Sequence, residues 1–258
     1  MKLRVTSTSG PPVQAVLSSS YTTATVNFIT WNKAYSIFPR QTLVDHKFFP
    51  LRPLDNDFGS VLREHSDQGW TTRDILWPEL ASYQASKLAR YRRVGDRHSL
   101  MIPLDLDSVQ QASIPDFVVE YAQFEVRPQY SRQILGQQNA FRSNASQQAR
   151  DPHNHFPQIR TEELTLPALR HRYVFAHSSW ISYAMERLQR WVWVELYKLD
   201  PEKRPEQFAN GIPHFSHTSI LGEFEVPKTW DYADDQIPVW YLEWERQSAD
   251  AKAVQHLT

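Results

Sequence analysis

The chain has no cysteine and only seven glycines in 258 residues. Without thiols it forms no disulfide framework, thiolate zinc site, iron–sulfur cluster or cysteine nucleophile. The glycine shortage goes with a lack of phosphate-cradling motifs: neither GxGxxG nor GxxxxGK[ST] occurs, and GxSxG and HExxH are missing too. These absences exclude the enzyme families that carry a short local signature. No apolar run approaches the roughly 18 to 20 residues that span a bilayer, so no membrane span is expected. No basic stretch followed by an apolar one is visible at the start of the sequence, so secretion is not expected and the Asn144-Ala145-Ser146 sequon is expected to carry no meaning.

Acids are scarce at the N-terminal end, where the first is Asp45. Before it stand only Lys2, Arg4, Lys33 and Arg40 as charges, among many Ser and Thr. That composition fits an organellar leader, but Arg is sparse and the β-branched, aromatic run over 22–31 reads as a folded strand. The expected compartment is therefore intracellular and cytoplasmic, with an organellar matrix as the alternative.

Aromatic residues are what the chain has in quantity. Six of its nine tryptophans, Trp180, Trp191, Trp193, Trp230, Trp240 and Trp244, fall within one C-terminal stretch. Large aromatic side chains dominate cores and interfaces. The formal net charge is −1 but is unevenly spread. Lys87, Arg90, Arg92, Arg93 and Arg97 stand against Asp96 alone, whereas residues 221–250 carry eight acids and only Lys228 and Arg246 as bases. Two solvated faces, or one basic and one acidic element paired within the fold, would account for that asymmetry.

Short β-prone runs at 2–8, 13–19 and 22–31 are separated by Gly10-Pro11-Pro12 and a serine cluster. Asp57 is placed to cap a helical turn, and Pro78 sits at a first helical position. Leu80, Tyr83, Lys87, Leu88 and Tyr91 then follow helical spacing, with Gly95 placed as the stop. Strands are expected at 99–104 and 116–126. Residues 127–158 are rich in Gln, Asn, Ser and Arg and read as a connector. Ile181, Ala184, Met185 and Leu188 form a helical stripe. The alternation of Val192, Val194 and Leu196 then reads as strand, as does 220–226. The run 239–244 fits either type, and 248–257 resembles a terminal helix. The fold class is α+β, with largely antiparallel strands in both halves, a basic helix over about 78–94 and a helix near 168–189. The expected organisation is a strand-rich lobe over 1–127, a polar connector over 128–160 and a Trp-rich lobe over 161–258.

Candidate chemistry is thin. His65 and Asp67 have the HxD spacing used by non-haem iron oxygenases, which a later histidine such as His171, His177, His214 or His217 would complete. Ten histidines and 29 acids make about one such pair by chance. His153 with His155 and His214 with His217 are spaced to chelate a metal, though such pairs are more often surface or capping residues. The leading reading is a non-catalytic structural or adaptor subunit that needs no cofactor and holds no metal. Trp230, Trp240 and Trp244, set among Asp234 and Asp235, would receive a basic partner segment by charge and cation–π contact. The first alternative is a metal-dependent oxidoreductase using His65 and Asp67. The second is an RNA-contacting subunit of a ribonucleoprotein, in which Arg90, Arg92, Arg93 and Arg97 form a polyanion-binding patch. A pI near 6.8 is low for a dedicated nucleic-acid binder.

Overall fold

The computed structural model describes residues 8–52, 55–72, 91–106, 113–128, 157–205 and 226–255. Its helices and small antiparallel sheets make an α+β protein. The chain divides into two compact units. The first comprises Met1–Ser113 and Gln123–Thr161, and the second Ile114–Ala122 and Glu162–Thr258.

The first unit begins with helix α1 (Pro12–Ser19), where the β-prone run at 13–19 suggests a strand. Proline at the first helical position, with Val13 and Leu17 buried together one turn apart, outweighs strand propensity there. Of the run at 22–31, only β1 (Asn27–Ile29) is strand, preceded by a 3₁₀ turn at Thr23–Thr25. β1 pairs antiparallel with β2 (Lys33–Ser36), which stacks Phe28 on Tyr35 with centroids 4.9 Å apart. A π-helical turn follows at Arg40–Val44, and His46, two residues beyond it, has a left-handed φ of 49°.

Helix α2 (Asn56–Asp67) is capped by Asp55, whose carboxylate accepts the Phe58 amide at 2.7 Å; the cap lies two residues before Asp57. It ends in a Schellman turn at Gly69 (φ 80°), with the Gly69 amide on the Ser66 carbonyl and the Trp70 amide on that of His65. β3 (Tyr91–Arg93) and β4 (Leu100–Pro103) come next. The expected basic helix therefore does not reach its last residues: Arg92 and Arg93 are on a strand, and 78–90 lie outside the described residues. β3 pairs with β5 (Gln123–Pro128), β5 with β6 (Pro157–Arg160), and β4 with β2, all antiparallel. Ile37, Phe38, Phe48, Phe58, Val94 and Phe124 fill this unit's core.

The expected single strand at 116–126 is broken in two. Pro115 opens a short helix α3 (Asp116–Glu120), which belongs to the second unit, and the chain becomes strand only at Gln123. Phe117, Val118 and Tyr121 pack on the second unit's core, whereas Phe124 and Val126 are buried in the first.

In the second unit β7 (Glu162–Leu164) pairs antiparallel with β8 (Tyr173–Phe175). Helix α4 starts ten residues later than expected and runs Ser178–Tyr197, through the stretch that alternates like a strand. Val192 and Leu196 satisfy both periods, because four residues is about one helical turn and also two strand repeats. Val194 separates the readings, since it is exposed while its neighbours at 192 and 196 are buried. Asp200 and Pro201 end the run with a 3₁₀ turn at Pro201–Lys203. Helix α5 (Gln236–Gln255) absorbs both the ambiguous run at 239–244 and most of the expected terminal helix. The expected strands at 2–8 and 220–226 lie almost wholly outside the described residues. Among the described residues no helix is long and apolar enough to cross a membrane.

His65 sits on α2 with its ring buried, against Phe48 at 4.7 Å and stacked on Trp70 at 5.3 Å. Its Nε2 meets the Thr22 hydroxyl at 3.3 Å, and its Nδ1 is buried without a hydrogen-bond partner. Burial lowers its pKa, against the opposing charge of Glu64. The unfolded chain thus takes up a proton near pH 6.5 that folded His65 refuses. Stability is expected to be full above that value and to fall as pH drops below it. Thermal midpoints measured from pH 8 to pH 5 check this, and His65→Phe is expected to remove the step.

Candidate functional site

The second unit builds an acidic helix face from its core outward. The Trp230 indole donates to the Pro167 carbonyl at 3.0 Å, and the Ala233 amide to that of Ala168 at 2.8 Å. Asp234 accepts the amides of Arg170 (2.8 Å) and His171 (3.1 Å) and the Tyr173 hydroxyl (3.1 Å). Burial, then the charge and hydrogen bond of Asp234, push the Tyr173 phenol far above its usual range, so it remains a donor. These bonds fix the chain just before α5, and the core fixes the helix's rotation. Ile237 is buried, Tyr241 meets Tyr121 at 5.5 Å, Trp240 meets Trp191 at 6.2 Å, and Trp244 meets Trp180 at 5.7 Å.

The opposite face is left to solvent. Val239 is 47 % and Leu242 50 % exposed, and Asp235, Glu243 and Glu245 are exposed around them. Glu243 accepts the Tyr183 hydroxyl at 3.3 Å, and Arg246 is the exposed base nearby in sequence. Of the residues expected to bind a partner, Trp230 and Asp234 are thus buried in the unit's own interior. Trp240 and Trp244 are half-buried on the core side, and Asp235 alone faces outward. Val239 and Leu242 are the residues sequence reasoning missed. Their signal is the helical spacing of Ile237, Trp240, Tyr241 and Trp244, which leaves 239 and 242 on the far side.

The expected polyanion-binding arginines separate in the same way. Arg90 lies outside the described residues. Arg92 is buried, its guanidinium forked onto Asp96 with Nε–Oδ2 at 2.5 Å and Nη2–Oδ1 at 3.0 Å. Arg93 is half-buried, and Arg97 is exposed. Arg97 lines a surface pocket of about 570 Å³ together with His98 and Arg40.

His65 and Asp67 do not converge. Two residues apart on α2, their side chains leave the helix about 200° apart. His171 engages Asp234 through its backbone amide, and the ring nitrogen Nδ1 of His177 meets the Ser179 hydroxyl at 2.9 Å. His153, His155, His214 and His217 lie outside the described residues. Among the described residues no three His, Asp or Glu side chains stand together as a ligand set for a metal ion.

The chain matches no protein-family model, and no curated protein or solved structure matches it.

Proposed function

We propose that the protein is a non-catalytic adaptor subunit of a larger intracellular assembly, and that α5 docks a basic partner segment bearing apolar anchors. The observation that carries this reading is the exposure of Val239 and Leu242 among Asp235, Glu243 and Glu245, on a helix whose other face is locked by aromatic packing. A rigid helix presenting two apolar side chains loses little freedom on binding, and the three exposed carboxylates beside them, against the single base Arg246, steer a cationic partner. Trp240 and Trp244 act by holding the face in place.

The test is native mass spectrometry of the protein isolated gently from its own source, alongside a V239E/L242E variant. The native chain is expected in a complex several times heavier than its 30.2 kDa. The variant is expected to lose the partner at least about tenfold, with thermal stability unchanged within about 0.5 kcal/mol because both sites are on the surface. A monomeric native protein would sink the reading, and so would a variant that stays fully assembled.

A further inference from the structure

We infer that the first unit carries a binding pocket for a small phosphate monoester with an apolar body. Its polar wall is Arg40, Arg97 and His98, and its apolar wall is Leu43, Val44 and Leu100. The volume of about 570 Å³ falls within the range of small-ligand sites.

Two irregular pieces of backbone assemble this wall. Arg40, Leu43 and Val44 come from the π-helical turn, in which the Asp45 amide reaches back to the Arg40 carbonyl at 2.9 Å. Two residues beyond that turn His46 is left-handed, a conformation uncommon for a non-glycine residue. π-turns and such outliers concentrate at functional sites. The second piece is the turn between β3 and β4. Asp96 accepts the amides of Arg93 (3.2 Å) and His98 (2.8 Å), while Arg92 clamps Asp96 from beneath and donates to the Ser99 hydroxyl at 3.1 Å. The turn is held before any ligand arrives, so the backbone that carries Arg97 and His98 need not order on binding.

The charge count selects the ligand. Arg92 and Asp96 neutralise each other, which leaves Arg40 and Arg97 as cations on the pocket wall. Arg97 Nε donates to His98 Nε2 at 3.3 Å, which leaves the donors of its two terminal amino groups for a ligand's oxygens. A phosphate monoester carries about −1.5 to −2 at neutral pH, matching two guanidinium groups that also fit its oxygens bidentately. Leu43, Val44 and Leu100 then take the organic body. The site shares no residue with α5, so either reading can fail without the other.

Calorimetric titration of the full chain with 1-naphthyl phosphate tests the inference, with inorganic phosphate and 1-naphthol as the separate halves. Naphthyl phosphate is expected to saturate one site per chain and to bind at least about tenfold more tightly than either half. R40A and R97A are each expected to weaken it about tenfold, while R190A, on exposed Arg190 of the other unit, leaves it unchanged. Thermal melts confirm that all three variants are folded. Absent or non-saturable binding, affinity no better than that of inorganic phosphate, or binding that survives R40A and R97A overturns the pocket. A ten-nucleotide single-stranded RNA that competes more tightly than naphthyl phosphate, through the same arginines, also overturns it, since the patch would then be a polyanion surface.

Discussion

Asp96→Ala is expected to cost the first unit about 3 to 5 kcal/mol, the usual penalty for stripping one partner from a buried ion pair. The Arg92 side chain is 3 % exposed and that of Asp96 18 %. Without the carboxylate, a guanidinium that cannot deprotonate stays in the interior with the Ile37 carbonyl (2.9 Å) and the Ser99 hydroxyl as its remaining acceptors. The rings of Phe38 and Phe124, 5.4 and 5.6 Å from its central carbon, offset only about 1 to 2 kcal/mol of that. The amides of Arg93 and His98 lose their acceptor at the same time.

Arg92→Met is expected to cost less, because the orphaned Asp96 is partly exposed and can hydrate or take up a proton. The double variant R92M/D96A is expected to fall well short of the sum of the two single losses. Denaturant melts of the four proteins give the coupling directly, and a loss below about 1 kcal/mol for Asp96→Ala would mean that the guanidinium is not buried in solution. Burial raises the Asp96 pKa, but the hydrogen bond and charge of Arg92 and the two backbone amides outweigh it, so the carboxyl titrates below its ordinary range. The pair's contribution is therefore full above the unfolded carboxyl value near pH 3.9 and fades as pH falls through the folded one. The His65 loss begins near pH 6.5, so the two acid transitions separate on one titration.

Arg92 also shows where sequence reading stops. The basic cluster at 87–97 is plain in the chain, but charge alone does not say which arginine is solvated. Arg92 alternates inward on β3 opposite Phe124, while Arg97 stands on the turn beyond it. Arg40, Leu43 and Val44 complete the pocket from a segment with no local signature; the nearest hint is that Arg40 is one of only four charges before Asp45. The α+β class and antiparallel pairing were legible, as were the strand at 99–104 and the stripe of Ile181, Ala184, Met185 and Leu188. Period failed where two periods coincide, at Val192 and Leu196. It failed again where one apolar run serves two cores, so that Phe117 and Phe124 look like one strand although they pack into different units.

Trp180→Ala is expected to destabilise the second unit by about 3 to 5 kcal/mol, the range for emptying a buried aromatic site. Trp180 is 0 % exposed. Its ring meets Phe175 at 5.8 Å, Tyr183 at 5.9 Å, Tyr241 at 5.2 Å and Trp244 at 5.7 Å, joining β8, α4 and α5 through one side chain. Partners on three elements cannot all close into the space it leaves. Unlike Trp191, whose indole donates to the Asp231 carbonyl at 2.9 Å, Trp180 buries its N–H with no hydrogen-bond partner. That orphan donor costs about 1 to 3 kcal/mol in the native protein.

Trp180→Phe removes the donor together with part of the ring, so the lost burial is offset and the net change is expected to stay under about 1.5 kcal/mol. The contrast between the two variants in denaturant unfolding is the measurement. If Trp180→Phe costs as much as Trp180→Ala, the indole N–H is satisfied in solution and the orphan is not real. Trp180→Ala also reaches beyond stability, because Tyr241 and Trp244 lean on Trp180 and set the rotation of α5. Loosening them turns the fixed exposure of Val239 and Leu242 into a fluctuating one, so partner binding is expected to fall at temperatures where the unit is still folded. Loss of the partner only in step with global unfolding would make Trp180 a core residue with no part in presenting the helix face.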